Sequence, residues 1–511
     1  MIPIGGRAIS LDEVAAVARA GAEAGGAVQV GLAPGARERM AASRAVVEAA
    51  VAGDRVVYGV TTGFGELKDR VIPREQVRAL QLNLLRSHAA GVGPEAPREV
   101  VRAMLLLRAA SLAHGRSGVR PELVEALLAL LERDVTPIVP LQGSVGASGD
   151  LAPLAHLASV LVGEGEATLG GRRLPAALAL RGAGLTPLVL EAKEGLALIN
   201  GTQLSTALAV LARVDARRVW EAAVAAAALS TDVLLGSFEP ARADVQGLRP
   251  YRGALETARR LRAWSSGSAL AASHADCAQV QDAYCMRCAP QVLGAAWDAL
   301  QHVGEQLAVE VNAVNDNPLV LAAGGEVVSA GLFHAEPVGM VADYLKIAVA
   351  EIASLSERRT DRLLDRRVSG LPAVLAADPG LESGYMQAQY TAAALVSENK
   401  VLAHPATVDS IPTGAGLEDH VSMAPIAARH ARAVVENTAR VVALELLCAC
   451  RALEFRRPLT AGPGGERLYA AVRSLVPAPE GDRPLSVPCE TVARWVLSGA
   501  PERLAQEVLS E

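Results

Sequence analysis

Gly143-Ser144-Val145-Gly146-Ala147-Ser148-Gly149-Asp150-Leu151-Ala152-Pro153-Leu154 is the stretch from which the rest of the chain can be read. Two glycines and a serine in its first four residues disfavour a helix and predict a loop. At its far end Asp150 is placed to cap a helix opening near Leu151, with Pro153 tolerated in the first turn. Between them stand three small residues, Ala147, Ser148 and Gly149, at a loop-to-helix junction. Without a side chain on Gly149, its amide nitrogen can fold back onto the carbonyl carbon of Ala147. Ring closure with loss of water, then dehydration of Ser148, would leave a five-membered ring bearing an exocyclic methylidene. That ring is an electrophile, which no ordinary side chain supplies. A Gly-rich loop that only caps a helix is the plainer reading, and the rest of the chain decides between the two.

Composition bounds the answer. With 511 residues the chain can bury a large core and hold two or three subdomains. It is 51% hydrophobic, rich in Ala and Leu, with only four Phe, four Trp and seven Tyr. That balance predicts close-packed helices rather than a sandwich or barrel. A net charge of −6 argues against nucleic acid or an anionic membrane as partner. Met1-Ile2-Pro3-Ile4-Gly5-Gly6 has no basic region followed by an apolar run, so no signal peptide is expected, and no apolar run is long enough to span a bilayer. Six cysteines are too few for a disulfide framework, and Cys285-x-x-Cys288 has no second pair with which to hold a metal. The expectation is a reduced, cytoplasmic protein without a metal site.

Along the chain, apolar spacing predicts helices at about 11–24, 37–53, 74–88, 97–113 and 121–133. Further ones are predicted at about 203–229, 291–311, 338–359, 387–402 and 424–453. Gly163–Pro187 reads as a hairpin or an irregular excursion. Val56–Glu66 carries three glycines, Tyr58 and Phe64, which suits either a packed surface turn or a lid that delivers a base. His88 precedes the stop signals Gly91 and Pro94, where a basic residue favours a helix end. Asn200 lies in an apolar run and must find partners, as a structural bracket or a substrate contact. Gln281, Tyr284 and Arg287 stand at i, i+3 and i+6, so a helix there would set an amide, a phenol and a carboxylate-binding guanidinium close to one face. No repeat or long linker separates independent domains. An approximate division places the lid loop and the small-residue triad in 1–200 and the long helices in 201–511.

Eight strings occur in one order: YGVTTGFG from Tyr58, SHAAGVG from Ser87, GSVGASGDLAPL from Gly143, GLALINGTQ from Gly195, QDAYCMRC from Gln281, NAVNDNP from Asn312, FHAEP from Phe333 and EDHVSM from Glu418. Together they resemble the aromatic amino acid ammonia-lyase and aminomutase family, and within it the histidine ammonia-lyases. The resemblance implies a mainly α fold, with a long-helix bundle core of the ammonia-lyase/fumarase-like type and a loop-rich N-terminal part carrying the triad. It implies a D2-type homotetramer whose active sites are shared between subunits, so that 201–511 would serve both oligomerisation and substrate binding. Ala147, Ser148 and Gly149 would form 4-methylidene-imidazole-5-one (MIO) autocatalytically, with no external cofactor.

The same resemblance implies roles for single residues. Tyr58 would be the loop acid or base, and Tyr284 the tyrosine beside the prosthetic group. Arg287 would hold the substrate carboxylate. Asn200 and Gln281 would contact substrate and MIO, Phe333 would line the pocket, and His88 and Glu418 would read the substrate ring. The implied reaction is deamination of L-histidine to trans-urocanate and ammonia. The alternative is a 2,3-aminomutase acting on L-histidine or L-tyrosine. Ser87-His88 with EDHVSM points to histidine, since an imidazole can pair with a carboxylate and a second imidazole. Thr61, Leu332 and Leu417 depart from the pattern of histidine ammonia-lyases, and Glu66 stands where related tyrosine aminomutases also carry glutamate. Those departures bear on the outcome of the reaction, with Glu66 as the residue expected to modulate the loop. A phenol acts as a base only when partly ionised, so a cation or helix N-terminus is expected beside it.

Overall fold

Good helix formers dominate the composition, and most of the chain is helical. The computed structural model describes residues 1–21, 29–53, 56–275 and 280–510, and for Glu66 the backbone alone. Four helices among these are long: Gln203–Val233, Ala289–Glu310, Glu336–Leu364 and Ala424–Arg456. The helices predicted near 97–113, 121–133 and 387–402 are Arg98–Leu112, Pro121–Glu132 and Met386–Leu402. Leu11–Arg19 is shorter than predicted; it opens on a reciprocal Ser10–Glu13 capping box and ends at Ala20, and residues 22–28 lie outside the described part.

The chain forms two compact units. The first comprises Met1–Leu211, Gly304–Asp343 and Pro405–Arg429, and the second Ala212–Val303, Tyr344–His404 and His430–Glu511. The division falls inside each of the four long helices.

All strands among the described residues belong to the first unit, and all are short. Glu166–Leu169 pairs antiparallel with Arg172–Pro175 around Gly170-Gly171, so the excursion after Gly163 contains a hairpin. Both turn glycines have positive φ, as a two-residue hairpin turn requires. Val92–Glu95 pairs with Pro140–Gln142, which sets the segment after His88 beside the start of the triad loop. The helices Arg98–Leu112 and Leu151–Leu161 are buried on nearly every side, the mark of a helix inside the core rather than on its surface. Ala147, Val421 and Met423 form a further apolar cluster with Val145 and Ile426, which holds the triad loop against the residues around Ala424.

The second unit is packed from Ala-rich helices around a few large groups. Trp220 donates its indole N–H to Leu293 O at 2.7 Å and lies 6.5 Å, centroid to centroid, from Trp297. Arg359 and Glu445 form a fully buried ion pair. No helix among the described residues is long and apolar enough to cross a membrane.

Candidate active site

The helix Leu151–Leu161 opens where the sequence places it, yet Asp150 does not cap it with its side chain. Asp150 N donates to Gly201 O at 2.6 Å, and this pairing turns the carboxylate toward a different segment. Its oxygens accept Ser205 N at 2.8 Å and Ser205 Oγ at 3.0 Å. Burial pushes the Asp150 pKa up to about 6, against those hydrogen bonds, which favour the ionised form.

Gly149 has φ +75°, and a Cβ there would overlap Gly201 O. Glycine is therefore required by close approach of backbone as well as by the ring chemistry expected of the triad. Ser148 is held at both ends. Its Oγ donates to Glu418 Oε1 at 2.7 Å, and its carbonyl oxygen accepts Asn200 Nδ2 at 2.9 Å. The loop before it is fixed by Ser422 Oγ donating to Gly146 O at 3.0 Å and Met423 N donating to Val145 O at 2.9 Å.

Asn200 is 3% exposed, and among the described residues its Oδ1 has no partner. One half of the amide is thus a bracket on Ser148, while the other half is an unused acceptor. Its backbone is placed by the short helix Glu194–Ile199, which follows Lys193 in the left-handed region. Lys193 is fully buried and donates to Asp316 Oδ2 at 2.8 Å; burial lowers its pKa, and Asp316 works against that shift.

The loop of Tyr58 and the loop of Glu418 meet, through the turns Gly65–Leu67 and Gly414–Gly416. Tyr58 is half-buried, and its hydroxyl accepts Gly65 N at 3.4 Å. Thr61 has a clear local use: its Oγ1 accepts Val57 N at 2.9 Å and its carbonyl accepts Ile72 N at 2.9 Å. The side chain of Glu66 lies outside the described part. Glu418 is oriented from behind by Thr413, whose Oγ1 donates to Oε2 at 2.6 Å.

His88 ends the helix Val77–His88, as predicted. Its Nδ1 lies 2.9 Å from Leu84 O and 3.0 Å from Ser87 Oγ. Phe333 is half-buried. The next residue, His334, donates from Nε2 to His420 O at 3.1 Å, tying that turn to the Glu418 loop.

Gln281, Tyr284 and Arg287 belong to the second unit. Their predicted alignment on one helix face does not hold, because the helix is the single turn Tyr284–Arg287 and Gln281 lies before it. The residues ahead of that turn are engaged elsewhere, with Asp282 Oδ2 accepting Ser237 N at 2.6 Å. Tyr284 and Arg287 do meet. The guanidinium carbon lies 4.8 Å from the ring centroid, and Arg287 Nε donates to Asp282 O at 3.2 Å. A cation thus stands beside one of the two candidate phenols. Tyr284 is 69% exposed within its own chain.

A family model of aromatic amino acid lyases matches residues 9–474. The chain belongs to this family. It is 54% identical to a histidine ammonia-lyase of Gloeobacter violaceus, over 97% of this chain and 95% of the relative. Among solved structures it is similar to histidine ammonia-lyase from Trypanosoma cruzi, at 40% identity and a TM-score of 0.91, covering 99% of this chain and 95% of that one. A tyrosine aminomutase from Streptomyces globisporus also superposes with a TM-score of 0.91, at 36% identity and coverage of 99% and 98%.

Two contributors to the site of this aromatic amino acid lyase were not singled out by sequence reasoning. Thr413 lies in a loop of small residues where nothing local marks it. Arg108 had a signal: it interrupts the apolar run of Arg98–Leu112, and a fully buried cation must be accounted for just as a buried Asn must. Its Nη1 donates to Asn200 O and Gln203 Oε1, each at 3.1 Å, and to Asn315 O at 3.2 Å. Burial lowers its pKa to about 10. A side chain on Gly201 would overlap this guanidinium.

Proposed function

We propose that this chain is a histidine ammonia-lyase, a carbon–nitrogen lyase that converts L-histidine to trans-urocanate and ammonia without oxidation. The observation that carries this reading is the convergence on Ser148 of Asn200, at the carbonyl, and Glu418, at the hydroxyl. The triad fits MIO: Gly149 has no Cβ and a positive φ, Ala147 is buried, and the Ser148 carbonyl already has a donor. Formed from Ala147, Ser148 and Gly149, MIO supplies an electrophilic carbon that engages the substrate amine and makes it a better leaving group. No external cofactor is needed.

The remaining work falls to side chains. The free Oδ1 of Asn200 accepts an N–H of the substrate amine. Tyr58 is the loop acid or base that takes the β-proton, and Tyr284 is the tyrosine beside the prosthetic group. Arg287 holds the substrate carboxylate, Gln281 contacts substrate and MIO, and Phe333 lines the pocket. Glu418 offers carboxylate oxygens and His88 its Nε2. An imidazole can pair with a carboxylate and with a second imidazole, whereas a phenyl ring offers neither group a match, so a site built this way discriminates strongly. Tyr284 is exposed in its own chain, which supports a homotetramer in which another subunit completes each site. The setting we propose is the cytoplasm.

Intact mass and product analysis test this. The purified chain is expected to weigh about 36 Da less than its sequence, two waters, and Ser148→Ala to lose nearly all activity. With L-histidine, urocanate and ammonia are expected in equal amounts. Full sequence mass with full activity would overturn the MIO assignment. Early β-histidine exceeding urocanate would replace the lyase by an aminomutase, and Glu66→Ala should then shift the ratio toward urocanate.

A further inference from the structure

Glu418 touches two things that belong to different moments in the life of the enzyme. The proposed reading gives it to the substrate ring. In the chain as folded, before any ring closure, its Oε1 instead holds the hydroxyl of Ser148 at 2.7 Å, and its Oε2 is pinned by Thr413 Oγ1 at 2.6 Å. The hydroxyl it holds is the group that must leave for MIO to form. An acceptor occupied by a hydroxyl of its own chain is not free for a substrate, so the same contact both assists maturation and blocks premature binding.

We propose that Glu418 is the catalytic proton carrier for the dehydration of Ser148, and becomes available to substrate only when that water has gone. This rests on the MIO reading and extends it. Closure between Gly149 N and Ala147 C accounts for the first water. In the second loss, the Cα–H electron pair of Ser148 becomes the Cα=Cβ bond, and the Cβ–Oγ pair leaves with oxygen. The proton shed at Cα travels by way of the Glu418 carboxylate to Oγ, which already bears one hydrogen. One water is released, and Glu418 ends in the state in which it began. Nothing is oxidised, and no outside reactant is consumed.

The geometry favours a carrier over a passive neighbour. Thr413 fixes the carboxylate so that one oxygen points at Oγ, while Asn200 Nδ2 holds the Ser148 carbonyl from another direction. A positioned acid–base group is worth roughly a hundredfold or more in rate. The amide of Glu418→Gln can keep the hydrogen bond to Oγ but cannot carry a proton through it.

The experiment is a time course of intact mass on freshly produced full-length chain, for wild type, Glu418→Gln and Thr413→Val, with circular dichroism to confirm folding. Wild type is expected to reach a deficit of about 36 Da. Glu418→Gln is expected to accumulate at a deficit of about 18 Da, cyclised but not dehydrated, with the second loss slowed roughly a hundredfold. Thr413→Val should show the same intermediate more briefly, and it carries the test if Glu418→Gln does not fold. Which water is missing separates the roles. A variant stalled with no water lost would show that Glu418 only shapes the loop, and would overturn the proposal. Dehydration of Glu418→Gln at the wild-type rate would overturn it too, while leaving MIO intact. Wild type at full sequence mass would remove both readings.

Discussion

Two buried carboxylates, one in each unit, are treated in opposite ways. In the second unit Glu445 receives Arg359 Nε at 2.5 Å and Nη2 at 2.8 Å, together with the hydroxyls of Ser230 at 2.7 Å and Ser356 at 2.6 Å. Its charge is matched on the spot by a guanidinium. In the first unit Asp150, next to the triad, has neutral donors instead: Ser205 N, Ser205 Oγ and, at 3.4 Å, Ser144 Oγ. One buried cation of the same unit, Arg108, bonds backbone and amide oxygens rather than a carboxylate, and two of its nitrogens have no partner among the described residues. Asp150 and Arg108 are instead buried without an oppositely charged hydrogen-bond partner, and the cost of burial shows in the raised pKa of Asp150 and the lowered pKa of Arg108. Groups held this way change protonation or polarise a neighbour more readily than members of a closed ion pair.

The largest effect should come from breaking the closed pair. Glu445→Gln leaves Arg359 buried without a counter-charge and should cost about 3–5 kcal/mol, read as a fall in the urea midpoint. The comparison is sharpened by Arg359→Met combined with Glu445→Leu, which removes both charges and should cost less than Glu445→Gln alone. If the double variant is the less stable of the two, the pair is itself a net source of stability, and the contrast with Asp150 is the greater for it.

Asp150 should behave in the reverse sense. Its folded pKa is raised to about 6 from a usual 3.8. A raised pKa contributes stability below the unfolded value, lost as pH rises through the folded one. Between pH 4 and pH 7 the wild type should therefore lose about 3 kcal/mol relative to Asp150→Asn, whose side chain cannot ionise. Urea unfolding of both proteins at several pH values checks this. A difference that does not change with pH would mean that Asp150 is ionised at ordinary cost, and the two carboxylates would then be alike.

The parts of this arrangement that could be read in the sequence are those whose cause is local. The Ala147-Ser148-Gly149 loop, the helix opening at Leu151 and the end of the helix at His88 follow from small residues, apolar spacing and stop signals within a few positions. Asn200 stood out because an amide in an apolar run demands partners, and it has one in Ser148 O. What escaped depends on pairing across long separations. Nothing near Asp150 indicates that its carboxylate will turn to Ser205, and nothing near Thr413 marks it as the support of Glu418. The helix face drawn through Gln281, Tyr284 and Arg287 failed for a related reason: Asp282 is committed to Ser237 N, and the helix starts only at Tyr284.

The smallest effect separates the hydroxyl of Ser205 from the rest of the Asp150 environment. Ser205 Oγ donates to Asp150 Oδ1, a bond that favours the ionised carboxylate over the acid. Ser205→Ala removes that bond and leaves the backbone donor Ser205 N in place at 2.8 Å. The Asp150 pKa should then rise further above about 6, by about one unit, which corresponds to about 1.4 kcal/mol between the two protonation states. The sign is fixed by which form loses the bond. Above the folded pKa the carboxylate is charged and the variant loses a charge-assisted hydrogen bond. Below it, the acid loses a weaker one. Ser205→Ala should therefore be more destabilising at pH 8 than at pH 5, and the pH-dependent loss assigned to Asp150 should extend about one pH unit higher and grow by about 1.4 kcal/mol. Equal destabilisation at both values would mean that the hydroxyl serves packing alone, and that the backbone amide by itself governs the charge beside the triad.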